Sequence, residues 1–139
     1  MTHDLIRARD LLLAEGYTCV LIQGDAMHCS RERGVKPLVS FLQNGNCVRG
    51  FHAADKVIGK ATAFLYCLLG VESVYTPVIS VSALEVLRRH GIPTEYDLAV
   101  EFIWNRRKTG PCPMESAVRD ISDPRDAYAA ILKTLAELA

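Results

Sequence analysis

Two short stretches of the 139-residue chain gather the side chains best suited to chemistry. The first is Asp55-Lys56-Val57-Ile58-Gly59-Lys60. A carboxyl group beside two ammonium groups can exchange a proton and hold an anion. The second runs from Asn105-Arg106 to Cys112-Pro113-Met114-Glu115. Pro113 suits the first position of a short helix, which places Cys112 at the N-cap, where free N–H groups and the helix dipole favour a thiolate nucleophile. Arg106, Arg107 and Lys108 act in the same direction and Glu115 opposes it. The alternative for Cys112 is a small buried residue in a helix-entry turn. In the functional reading Asp55 and Cys112 are the catalytic candidates, as acid/base and nucleophile. Lys56, Lys60 and Arg106 hold an anion, Asn105 orients the ligand, and Glu115 completes the ligand-binding set.

These residues need elements to position them. Thr2 can cap a helix over 3–15 that stops at Gly16. Residues 17–23 are β-rich, Gly24-Asp25 turns the chain, and 26–30 return as a second strand. Pro37 opens a short helix to Leu42 ended by Asn44-Gly45; a second hairpin turning at Asn44-Gly45 is the alternative. A helix over 55–69 presents Val57, Ile58, Ala61, Phe64, Leu65 and Leu68 as one apolar face. On that helix Lys56 and Lys60 stand four residues apart near the positive end of the dipole. Like charges there cost a few tenths of a kcal/mol. An anion is expected to relieve them: Asp55 in part, a bound anion for the rest. Two solvated lysines are the simpler alternative. Further on, 73–80 reads as a strand with an edge or bulge at Pro77, and a helix follows to His90. Another strand spans 96–103, a basic loop 105–111, a short helix 113–118 and a last helix begins at Asp123-Pro124. Strands alternating with helices imply a single three-layer α-β-α domain over 1–139 around a mixed sheet.

Several chemistries are excluded. Ile58-Gly59-Lys60-Ala61-Thr62 imitates a phosphate loop, but Ala54 stands where its first Gly belongs and Ala61 where a Ser or Thr must follow the Lys. The five cysteines include no CxxC pair, and the four histidines no HExxH or short-spaced Cys/His pair, so no pre-organised metal site or other cofactor is expected. The formal net charge is zero, which argues against an extended nucleic-acid surface. The balance is uneven: residues 31–60 sum to +4 and 88–113 to +2, so both basic blocks coincide with the two chemical stretches. That suits a compact pocket for a small anion. The apolar run over 61–71 is too short to cross a bilayer. No signal peptide is visible, and the odd number of cysteines suits a cytoplasmic chain with reduced thiols.

The stretch 54–61, together with Asn105-Arg106, Cys112-Pro113-Met114-Glu115 and Gly34-Val35-Lys36-Pro37-Leu38, resembles a small uncharacterised prokaryotic family, a domain of unknown function with a cytidine-deaminase-like fold. The order helix, hairpin, helix, strand, helix, strand, helix is similar to that fold too. The resemblance spans residues 5–118 and implies the fold, not a reaction. A zinc deaminase needs H-x-E at the central helix and C-x-x-C at the next. Here the chain reads His52-Ala53-Ala54-Asp55, and Pro77-Val78-Ile79-Ser80-Val81 has no cysteine. The expectation is a zinc-independent protein that binds or acts on a small anionic or nucleotide-like ligand. A non-catalytic ligand-binding or regulatory module is the alternative, and a zinc deaminase a distant third. Edge strands and the apolar last helix could support a homodimer.

Overall fold

Strand alternation divides the core between two faces of one sheet. In the computed structural model, which describes residues 1–104, 110 and 112–139, helix α1 spans His3–Glu15. The Thr2 hydroxyl accepts from Leu5 N–H at 3.2 Å, and the chain leaves at Gly16 with φ 70°. Its buried stripe of Leu5, Ala8 and Leu12 packs on Val20, Ile22, Ala54 and Tyr75, the side chains pointing to one face of the sheet. The alternate residues Cys19, Leu21, Ala53 and Val74 point to the other face and join the larger core.

The strands are β1 Cys19–Gln23, β2 Ala26–Ser30, β3 His52–Asp55, β4 Val57–Ile58, β5 Ser73–Ser80 and β6 Thr94–Val100. β1 pairs antiparallel with β2 and with β3. β3, β4 and β6 all run parallel to β5. β3 meets the start of β5 (His52 with Ser73) and β4 its end (Val57 with Val78), both with the same 21-residue offset. They are therefore one strand interrupted at Lys56, and the sheet reads β2-β1-β3/β4-β5-β6. Such a mixed sheet between a single helix and a helical layer is a three-layer α-β-α arrangement.

The second layer holds α2 Lys36–Gln43, α3 Lys60–Leu69, α4 Val81–Arg89, α5 Pro113–Val118 and α6 Pro124–Leu138. Residues 36–43 are thus helix rather than hairpin: Pro37, Leu38 and Val39 are buried, and Gly45 takes φ 68° just past the end. The sheet strand over 52–58 is the main difference from the sequence reading, which made Asp55 the start of the central helix. Val57 and Ile58 fit that apolar helix face, yet they are equally β-formers, and pairing with Val78 and Ile79 makes them strand. Gly59 stays extended (φ −94°, ψ 178°), and the helix starts at Lys60. The last strand likewise begins at Thr94 and stops at Val100, three residues before the expected end. Among the described residues no helix is long and apolar enough to cross a membrane.

α6 closes the layer. Asp123 caps it through Arg125 N–H at 2.8 Å, and Ala127 and Ile131 are its fully buried contacts. Ile131→Ala should therefore cost about 2–5 kcal/mol in urea unfolding. Leu13→Ala, at a side chain 60% exposed, should change stability by less than about 0.5 kcal/mol.

Candidate functional site

The interruption at Lys56 places a carboxyl group where the sheet opens. Asp55 ends β3 with its side chain on the helical face, and only 8% of the residue is exposed. The Tyr66 hydroxyl, from α3, donates to Oδ2 of Asp55 at 2.6 Å, and Val57 N–H reaches Oδ1 at 3.4 Å. Behind Tyr66 lies the buried Cys19 thiol, with Sγ 3.4 Å from the phenol oxygen. Burial pushes the Asp55 carboxyl up to about 7, against the opposing pull of hydrogen bonds from Tyr66, Val57 and Lys56. A group near that value can give or take a proton at neutral pH.

A pocket of about 310 Å³ opens above this carboxyl. Asp55, Thr62, Glu115 and Thr18 line it with polar residues, Val35, Ile103, Cys112 and Met114 form apolar walls, and among the described residues Lys56 and Arg33 are its exposed cations. Glu115 reaches across from α5 to the start of α3. Its Oε2 accepts from Lys60 N–H at 2.8 Å. Burial raises this carboxyl, while the N–H groups of Lys60 and Ala61, the Lys60 ammonium and the Ser80 hydroxyl pull it back. Gly59, the N-cap of α3, has no side chain to cap with, so Glu115 takes that role from another element. A Cβ on Gly59 would overlap Oε1 of Glu115 and lie 2.7 Å from its Cδ.

These contacts rearrange the roles expected from sequence. Asp55, Lys56, Cys112 and Glu115 do share the pocket. Lys56 is not on the helix, so it shares no helical face with Lys60. Lys60 turns away from Lys56: its ammonium donates to the Arg119 carbonyl at 2.8 Å and lies 5.7 Å from the Phe64 ring centre. The anion expected at the head of α3 is Glu115 itself, rather than Asp55 and a bound ligand. Cys112 is the N-cap of α5, half-buried, and its N–H donates to the Ile103 carbonyl at 2.9 Å. Asn105 and Arg106 lie outside the described residues. The sequence reading missed Tyr66, hidden inside an apolar helix, and Arg33, part of a charged break.

A deaminase-type zinc set does not fit these residues. His52 and Asp55 are three apart on one strand and so point to opposite faces. The His52 ring bonds Ser73 Oγ at 2.6 Å and approaches Thr2 Oγ1 at 3.5 Å, on the α1 side. The turn into α4 offers Ser80, Val81, Ser82 and Ala83, with no thiol or imidazole.

Comparison with protein families matches residues 7–135 to TM1506, a domain of unknown function (DUF1893). The chain belongs to the DUF1893 family. A solved DUF1893 family protein (TM1506) from Thermotoga maritima is similar over 96% of this chain and 91% of its own, at 24% identity and a TM-score of 0.87. At that identity the likeness concerns the fold alone. A search of curated proteins found no match.

The buried acid makes stability of this DUF1893 chain depend on pH. Asp55 holds its proton up to about 7 in the fold, whereas the unfolded chain releases it near about 4. The unfolded state then binds fewer protons, so stability is full below that lower value and falls as pH rises towards 7. The loss approaches roughly 4 kcal/mol if the whole shift is expressed. Asp55→Asn should flatten this slope and be more stable than the parent at pH 8 in urea unfolding, with Tyr66 still donating. Gly59→Ala should displace Glu115 and cost about 1–3 kcal/mol, from overpacking and the lost cap.

Proposed function

We propose that the pocket binds a small nucleotide-like ligand without zinc, with its polar ring edge at Asp55 and its anionic group at Lys56 and Arg33. The observation that carries this reading is a nearly buried carboxyl, titrating about neutrality, at the base of a pocket whose exposed cations lie beside it. A carboxyl in that state can donate to a ring nitrogen or accept from an exocyclic amine, and can shuttle a proton between them. The cations are exposed, so they suit a phosphate or carboxylate that stays partly hydrated. The pocket volume of about 310 Å³ lies at the small end of ligand sites and suits one ring with a short polar extension. The order of elements and the parallel β3/β4-β5-β6 half of the sheet support a cytidine-deaminase-like arrangement. In parallel sheets ligands collect at the C-terminal ends of strands, and Asp55 closes β3 where that strand breaks at Lys56.

In the catalytic version Asp55 is the acid/base, and Cys112, which lines the same pocket, is the nucleophile candidate. One observation favours the alternative, a non-catalytic ligand-binding or regulatory module. Glu115 is engaged by the head of α3, so Asp55 is left without a second free carboxyl beside it.

Thermal-shift and calorimetric titration with nucleobases, nucleosides and nucleoside monophosphates tests the reading. A matching ligand at a hundredfold its Kd should stabilise the fold by about 2.7 kcal/mol. Lys56→Ala should weaken phosphorylated ligands about three- to tenfold and leave unphosphorylated ones unchanged. Binding by none of the three classes, or a Lys56→Ala effect blind to the phosphate, overturns it. If ligand binds, loss of turnover with retained binding in Asp55→Asn marks an enzyme, and absence of turnover in the parent protein marks a module.

A further inference from the structure

We infer that Tyr66, backed by Cys19, is the positioning residue of the pocket: its hydroxyl pins Oδ2 of Asp55 and leaves Oδ1 as the atom through which that carboxyl exchanges a proton. The inference rests on the reading of Asp55 as the acid/base of the site. Its geometry is independent of any ligand.

Three elements meet to make the chain of contacts. Cys19 of β1 is the cross-strand partner of Asp55 in β3, so both side chains rise from the same face of the sheet. Tyr66 comes down between them from α3, with its hydroxyl 2.6 Å from Oδ2 and 3.4 Å from the thiol sulfur. All three residues are buried. An ionised carboxylate only accepts, so the phenol must spend its single proton on Asp55. The thiol is then the donor to the phenol oxygen. Burial and the neighbouring carboxyl push the phenol well above its usual range, making it a weaker acid, so it remains protonated and donating throughout the neutral range. When Asp55 takes up a proton, Oδ2 is already occupied by a short hydrogen bond. Oδ1 has the longer 3.4 Å contact from Val57 N–H, and the backbone N–H of Lys56 also pulls on the carboxyl; beside the short bond at Oδ2, Oδ1 is the less committed oxygen.

Among the described residues, the other charged or titratable groups around the carboxyl are Glu115 from α5, Lys56 at the strand break, Arg33 before α2 and Cys112 at the head of α5. A test must therefore resolve Asp55 from Glu115. Carboxyl ¹³C NMR does so, because the two carbons are separately assignable. In the ligand-free full chain, Tyr66→Phe should raise the Asp55 midpoint by about one to two pH units, as expected for losing a hydrogen bond to a charged group. The Glu115 midpoint should stay in place. Cys19→Ala should move Asp55 in the same direction by less. In the unaltered protein the Tyr66 hydroxyl proton should appear as a slowly exchanging resonance that moves downfield as Asp55 ionises, which decides the matter even if Tyr66→Phe does not fold. An unmoved Asp55 midpoint in Tyr66→Phe, or a Tyr66 hydroxyl in fast exchange with water, overturns the inference. A merely structural Tyr66 would lower stability without separating the two midpoints. If the titration behaves as stated and no nucleotide binds, the ligand reading fails and this one stands.

Discussion

The site depends on one carboxylate supplied from a distance. A helix begins with unsatisfied N–H groups and a partial positive charge. In α3 the N-cap is a glycine and offers no oxygen to meet them. Glu115, 55 residues beyond Lys60, supplies it. This contact joins the central helix to the short α5, and α5 in turn packs against α6. The walls of the pocket on the Cys112–Glu115 side are therefore held by the same bond that completes the helix. Gly59 is matched to this arrangement, since any side chain there would occupy the place of the carboxylate.

Burial of Asp55 follows from that closure. With α3 seated over β3 and α5 folded against its head, the carboxyl at the end of β3 loses most of its water. Taken alone, a buried charge would be very costly. The fold lowers that cost with a tyrosine hydroxyl and nearby backbone N–H groups, and the carboxyl keeps an ionisation near neutral pH. A strand break at Lys56 directs the next side chain to solvent. A desolvated acid and a hydrated base are thus sequence neighbours.

The chemical residues were legible in the sequence more readily than their partnerships. Asp55, Lys56, Cys112 and Glu115 meet in one pocket, as their types and the two basic blocks suggested. Lys60 was drawn in by a helical spacing that the strand removes. Glu115 reads in the sequence as a ligand contact; in the fold it lines the pocket while its carboxylate serves the protein's own backbone. Tyr66 left no mark, because a tyrosine in an apolar helix reads as core until the strand beneath it is known.

Local pattern was enough for most of the helices, the first hairpin, the glycine stops and the α/β class, because apolar periodicity, caps and turn residues act within a few positions. The start of the central helix was different. Residues 57 and 58 satisfy both a helical face and a strand, and only the edge of β5 beside them decided between the two. The same is true of the site. Titration of Asp55 near neutrality, the capping role of Glu115 and the hydrogen-bond chain through Tyr66 to Cys19 all arise from groups far apart in sequence. They become neighbours only when the layers pack, and desolvation, which sets their chemistry, does not exist before that.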